Sequence, residues 1–276
     1  MARTRRADEV RMSPVVGSGA GATSHGFGDR RFTKQVTDVS AQRLEGRVTS
    51  FNANHGYAIT LNQTPTAGDI LVIATSTNGV LVTQNPPTYG TGAGSVAAVA
   101  SSGQINGTLQ MKVWYFVLTS ANIASGGTTI QVTNSANPTA AAYSVAELVG
   151  VNTANPIDST SNVIGTTSGG QSFFIQFLDT TTPLHRYQGA AGLAFGTLAG
   201  ARTLTGAVVT TLTNSAATLS STWGSFTAAS DIAALLINYP GAVATDFSNA
   251  AGCYFTSTGA TARAYVHCYV DFIPTA

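Results

Sequence analysis

The segment RAYVHCYVDF, Arg263 to Phe272, alternates without a break. Ala264, Val266, Cys268, Val270 and Phe272 fall on one side; Arg263, Tyr265, His267, Tyr269 and Asp271 fall on the other. Successive strand side chains point to opposite faces, so this period of two reads as a half-buried antiparallel strand. Thr128 to Thr133 repeats the pattern, with Ile130 and Val132 set against Thr129, Gln131 and Thr133. Met111 to Leu118 (MKVWYFVL) is apolar on both sides after Lys112, which predicts a central strand covered on both faces and a buried Trp114. Asp69 to Ala74, Tyr143 to Val149, Ser172 to Leu178 and Ile232 to Asn238 are further β runs, separated by turn residues. No longer stretch carries a capped 3.6-residue period. The expected fold is all-β, an antiparallel jelly-roll-like sandwich over residues 46–276.

Ahead of that body the chain changes character. Nine of its thirteen Lys and Arg residues precede residue 48: Arg3, Arg5, Arg6, Arg11, Arg30, Arg31, Lys34, Arg43 and Arg47. Five acids accompany them, a net of +4, while the remainder holds four bases against seven acids. Thr4 can cap a short turn through Arg5 to Met12, but Pro14 and the Gly-Ser-Ala stretch from Gly17 to Gly28 forbid regular structure. Residues 1–45 therefore read as an extended, largely irregular basic arm, long enough to reach on the order of 150 Å. Charged residues make up only 9% of the chain, against about 25% in ordinary soluble domains. A surface of Thr, Ser, Asn, Ala and Gly is poorly protected against self-association. A basic arm on a nearly charge-free body describes a protein that works by assembling with other copies or other proteins.

No apolar stretch follows the basic start as in a secretory signal, and no run approaches the length of a membrane span. The expected place of synthesis is a cytosol, with no membrane partner. Two cysteines, Cys253 and Cys268, make no disulfide framework, and the alternation puts Cys268 on the core face as a buried free thiol.

The usual catalytic motifs are missing from the sequence: no G-x-S-x-G, no Walker loop, no HExxH, no CxxC. The glycines of Gly17 to Gly21 and Gly90 to Gly94 lack the strand-before, helix-after context of a phosphate loop. His267 and Cys268 are neighbours, but on a strand they face opposite ways and form no dyad. The seven acids of the body are spread singly, so only folding decides whether two of them meet. No catalytic residue, cofactor or metal ligand is expected. Nucleic-acid contact through the arm stays open, although +4 with five acids interspersed is thin for packaging.

Residues 109–160 run LQMKVWYFVLTSANIASGGTTIQVTNSANPTAAAYSVAELVGVNTANPIDST. An aromatic strand, a short ANIASGG connection and a Thr/Val strand lead to one closing in Glu147-Leu148-Val149-Gly150, followed by Asn155, Pro156 and Asp158. This order resembles a β-sandwich module of tailed-bacteriophage virion structural proteins, the capsid-surface decoration and minor tail proteins. The resemblance implies a non-enzymatic virion component assembled in the host cytoplasm. It implies an outer accessory subunit whose arm residues Arg3, Arg5, Arg6, Arg11, Arg30, Arg31, Lys34 and Arg43 latch onto neighbouring capsid or tail subunits, or onto other copies of the chain. The same scaffold also serves a minor tail or glycan-binding adhesin, for which Trp223, Tyr89, Tyr187, Tyr265 and Tyr269 are the surface aromatics able to stack on sugars. The second alternative is a shell-forming capsid protein with a basic arm. Glu147, a lone carboxylate at the end of an apolar strand, must meet water, a cation or backbone N–H groups. Gly150 is expected to supply a positive φ or a close backbone approach at the strand exit.

Overall fold

The structure, a computed structural model, describes residues 36–91, 96–98, 104–167, 172–176, 191–199, 203–213, 216–227, 232–240, 252–257 and 263–275. Its first half holds β1 (Thr37–Val48), β2 (Tyr57–Thr60), β3 (Ile70–Asn78), β4 (Thr88–Tyr89), β5 (Val96–Ala98), β6 (Gln104–Asn106), β7 (Leu109–Val117), α1 (Ser120–Gly126), β8 (Thr129–Val132) and β9 (Ala140–Val149). The second half holds β10 (Ile157–Thr167), β11 (Ser172–Gln176), β12 (Ala191–Ala199), β13 (Thr203–Thr213), β14 (Ala216–Thr227), β15 (Ile232–Pro240), β16 (Gly252–Ser257) and β17 (Arg263–Phe272). Among the described residues every strand pairing is antiparallel.

Strand order identifies the architecture. In the second half one sheet runs β10-β17-β12-β15 and the other β11-β16-β13-β14. Among those eight strands this is first-eighth-third-sixth and second-seventh-fourth-fifth, the double Greek key of a jelly roll. The first half repeats it: one sheet runs β1-β9-β3-β7 and the other β2-β8-β4. There β5 and β6 both pair with β7 instead of closing the smaller sheet. The chain is thus all-β and jelly-roll in topology, with the roll present twice where a single sandwich was expected. No local pattern announces a repeat of this kind, because the defining pairs join strands far apart in sequence.

The two rolls meet face to face. Strand β15 lies over β1 and β9, β12 over β3 and β7, and β17 over β7, so the two sheets run in opposite order across the interface. A two-fold axis between the sheets would impose the same reversal. Their shared core contains Val72, Met111, Val113, Ala146 and Leu148 from one side and Leu193, Phe195, Val266, Cys268, Val270 and Phe272 from the other. The apolar face read from Arg263 to Phe272 is that interface. The opposite face of the first sheet covers β2-β8-β4 with Leu71, Ile73, Phe116, Val145, Ile59, Ile130 and Tyr89. β3 and β7 therefore bury both faces, and Trp114 is buried as expected. Its indole Nε1 donates to Thr75 Oγ1 at 3.3 Å.

Two local expectations are corrected. Residues 37–45, read as the end of the arm, are strand: β1 pairs with β9 from Thr37↔Val149 to Val48↔Ala141. Mixed Val, Leu, Gln, Arg and Glu give no clean alternation there, because the ladder is interrupted between Val39 and Leu44. The ANIASGG connection is a helical turn, α1. Thr119 Oγ1 accepts from Asn122 N at 3.2 Å, and Asn122 Oδ1 accepts from Thr119 N at 3.3 Å. This reciprocal cap starts a helix that propensity alone would not, and Gly127 ends it at φ +57°. Thr119→Ala is expected to lower stability by about 1 kcal/mol in a urea titration.

Candidate functional site

Folding brings together two of the singly spread acids. Glu147 belongs to the face of β9 that points into the first roll, and it is 1% exposed. Asp69, also buried, ends the turn that feeds β3: its N–H donates to Thr66 O, and its carbonyl accepts from Leu118 N. Above them β1 bulges. Four residues, Ser40 to Arg43, intervene between Val39↔Glu147 and Leu44↔Val145. The bulge sends Gln42 into the protein, fully buried. Its Oε1 accepts from Asn62 N at 3.1 Å and Gln63 N at 3.3 Å, its Nε2 donates to Gln63 O, and Asn62 Nδ2 donates to Ala41 O at 2.7 Å. The bulge is thereby clamped to the chain at 62–63.

Glu147 Oε1 accepts from Thr66 N at 2.7 Å, while Oε2 is buried with no hydrogen-bond partner. Burial pushes its carboxyl above the ordinary glutamate value, and the neighbouring Asp69 adds to the rise. The Thr66 N–H and the Gln42 amide pull the other way. Glycosidase carboxylates flank a substrate bond in an open cleft. This pair is sealed in the interior, where no substrate reaches it. Among the described residues no three His, Cys, Asp or Glu side chains gather as a metal site.

The remaining sequence candidates are placed as follows. Arg3, Arg5, Arg6, Arg11, Arg30, Arg31, Lys34 and Tyr187 lie outside the described residues, as do the side chains of Trp223 and Tyr269. Arg43 lies on the β1 bulge, half-buried, with Nη2 3.4 Å from Glu45 Oε1. Tyr265 is half-buried on β17, and its carbonyl accepts from Asn106 Nδ2 at 3.3 Å. Tyr89, expected as a surface aromatic, is instead buried edge-on against Phe116, with its hydroxyl donating to Gly127 O at 2.7 Å, so it has no face free for a sugar. Gly150 has φ +80°, as expected of the strand exit. The turn after it is built by Asn152, whose Oδ1 accepts from Ala154 N and Asn155 N. Cys268 is a buried free thiol, and burial pushes it up to about 12. In a Cys253→Ser background, a thiol reagent at pH 8 is expected to leave the folded chain unlabelled and to react once denaturant opens the inter-roll core.

A shallow groove of about 180 Å³ is lined by Val82, Gln84, Ile105, Gln110, Met111 and Lys112. It is smaller than the roughly 300 Å³ at which small-molecule sites begin. Lys112 Nζ sits 4.3 Å from the Trp114 ring centroid. Among the described residues no helix is long and apolar enough to cross a membrane.

No protein-family model and no curated protein matches the chain. Among solved structures it is similar to the major capsid protein P2 from bacteriophage PM2, at 10% identity over 83% of this chain and 98% of that one, with a TM-score of 0.27. It is similar also to a structure of infectious bursal disease virus Gx strain, at 8% identity over 89% and 74% of the two chains, with a TM-score of 0.19. Likenesses this distant carry no argument, so the architecture rests on the strand order and the function on the chain's own residues.

Proposed function

We propose that the chain is a non-enzymatic structural subunit of a virus particle, and that its tandem jelly rolls form part of the protein shell. The observation that carries this reading is the doubled strand order with the two rolls joined through one apolar core. Jelly rolls serve in viral capsids and in lectins. Two rolls locked together make a rigid block with lateral surface on several sides, suited to tiling, where a lectin or a decoration subunit needs one attachment face. The charge-poor composition fits a surface covered by neighbours. The basic N-terminal segment supplies a tether to adjacent subunits. An outer accessory subunit is the second reading, favoured by the thin +4 charge of that segment, which suits a protein partner better than nucleic acid.

The test is removal of residues 1–35, which stops short of β1. The truncated chain is expected to fold and to bind particles about a hundredfold more weakly, because a tethered contact is lost. Wild-type incorporation would sink the latch. Copy number and labelling of intact particles separate the readings: a continuous lattice of the chain supports a shell subunit, sparse surface label an accessory one. Label confined to the tail overturns both.

A further inference from the structure

We propose that Asn106 is a site of spontaneous deamidation, and that the carboxylate it becomes unfastens the β6–β7 hairpin of the first roll from β17 of the second. The chain holds two Asn-Gly dipeptides, Asn78-Gly79 and Asn106-Gly107. In such a pair the glycine backbone nitrogen attacks the asparagine Cγ. A C–N bond forms, a cyclic imide closes, and the amide nitrogen leaves as ammonia, taking the glycine N–H proton. Water then adds to either imide carbonyl and breaks one C–N bond, giving aspartate or isoaspartate. Water is the sole co-reactant. Glycine hinders the attack least, because it has no side chain and leaves the backbone free to reach the closing geometry.

The fold holds the two dipeptides differently. Gly107 and Thr108 form the two-residue turn beyond the pair Asn106↔Leu109, with Gly107 at φ +62°, where a hairpin of this kind places its glycine. Gly107 is exposed, and nothing lies within 4 Å of where a Cβ on it would stand. β6 is only three residues long and joins its sheet through β7, so the turn opens at little cost. Asn78 ends the nine-residue β3, in register with Ala140, and its carbonyl accepts from Thr139 N at 2.9 Å. Thr139 also closes over Gly79, where an added Cβ would stand 2.0 Å from Oγ1. Ring closure rotates the asparagine backbone out of its strand conformation. The packing of Thr139 resists that at Asn78, and open solvent permits it at Asn106.

The product changes a contact between the rolls. Asn106 Nδ2 donates to Tyr265 O of β17 at 3.3 Å, and β6 packs over β10 and β17. An amide supplies a donor to that carbonyl, whereas an ionised carboxylate only accepts. Deamidation therefore sets oxygen against oxygen at a half-buried position and leaves the carbonyl without this donor. Isoaspartate goes further, since its extra main-chain carbon breaks the Asn106↔Leu109 register. The step is a hydrolysis and does not reverse, so the joint between the rolls records the age of the chain.

The test ages the folded full-length chain in mildly alkaline buffer and follows both dipeptides by peptide mass spectrometry. Asn106 is expected to gain the mass of amide-to-acid conversion several times faster than Asn78. In denaturant the two rates should converge, because the fold no longer distinguishes them. Asn106→Gln keeps an amide but closes its larger ring far more slowly, and should abolish the gain at that position. Hydrogen exchange then reads the consequence. Asn106→Asp should speed exchange across segment 104–109 about tenfold, the worth of one lost hydrogen bond and its unsatisfied partner, while segment 70–77 keeps its protection. Should Asn106→Asp fail to fold, aged wild type, separated by its added negative charge, gives the same measurement. An Asn106 that reacts no faster than Asn78 in the folded chain, or a deamidated hairpin that exchanges like wild type, overturns the proposal.

Discussion

Phe195→Ala is expected to cost about 3–5 kcal/mol, a large part of the 5–15 kcal/mol that holds an ordinary domain folded. Phe195 is 1% exposed on β12, in register with Cys268 of β17 on one side and Leu236 of β15 on the other. Its ring fills the layer between the rolls, in a cluster with Val72, Met111 and Leu148 from the facing sheet. Truncation removes the transfer energy of the ring and leaves a cavity between two rigid sheets that cannot both move in to close it. The urea midpoint should fall accordingly. Leu81→Ala, at a position 57% exposed, should stay within about 0.5 kcal/mol of wild type. Equal costs at the two positions would mean that the rolls do not share a core.

Moving the truncation point ten residues, from 35 to 45, should turn a folded chain into an unfolded one. Removal of residues 1–45 takes away most of β1 and with it the ladder from Thr37↔Val149 to Glu45↔Ser144. Buried Val36 and Gln42 go with it, as does the clamp on residues 62–63. The loss also uncovers one edge of β9 and lets water reach the buried Glu147 carboxyl from a side where nothing neutralises it. Each apolar side chain withdrawn is worth about 1.5–3 kcal/mol, and the orphaned backbone groups of β9 add to the sum. A cooperative melting transition in the 36–276 fragment and none in the 46–276 fragment is the expected calorimetric result. A fragment beginning at residue 46 that still melted cooperatively would show that β1 is dispensable to the first roll.

Several elements are visible in composition because one local quantity, the alternation of apolar and polar side chains, is strong there. Arg263 to Phe272 alternates over its whole length, and the structure buries Val266, Cys268, Val270 and Phe272 while leaving Arg263 exposed. Met111 to Leu118 is apolar on both sides after Lys112, and β7 is covered on both faces. β13 and β14 carry no such contrast: TLTGAVVTTLT and AATLSSTWGSFT mix Thr, Ser and Ala, which suit a strand and a loop alike. β1 hides for another reason. Its four-residue bulge shifts the phase of the pattern midway, so the inward positions before and after it do not share one parity.

Class and charge layout follow from local chemistry: an antiparallel all-β body, a buried thiol at Cys268, a positive φ at Gly150 and a basic N-terminal segment are each set within a few residues. The doubling of the jelly roll, the face-to-face seating of the rolls and the meeting of Glu147 with Asp69 are set by pairings such as β1 with β9 and β10 with β17, whose partners lie about a hundred residues apart. Such pairings leave no trace in a short window, because each strand edge offers the same backbone donors and acceptors to every candidate. What selects the partner is the burial of a whole sheet face at once. Glu147 takes its character from the same event, since it is an ordinary strand-end carboxylate until the bulge of β1 and the turn at Asp69 close over it.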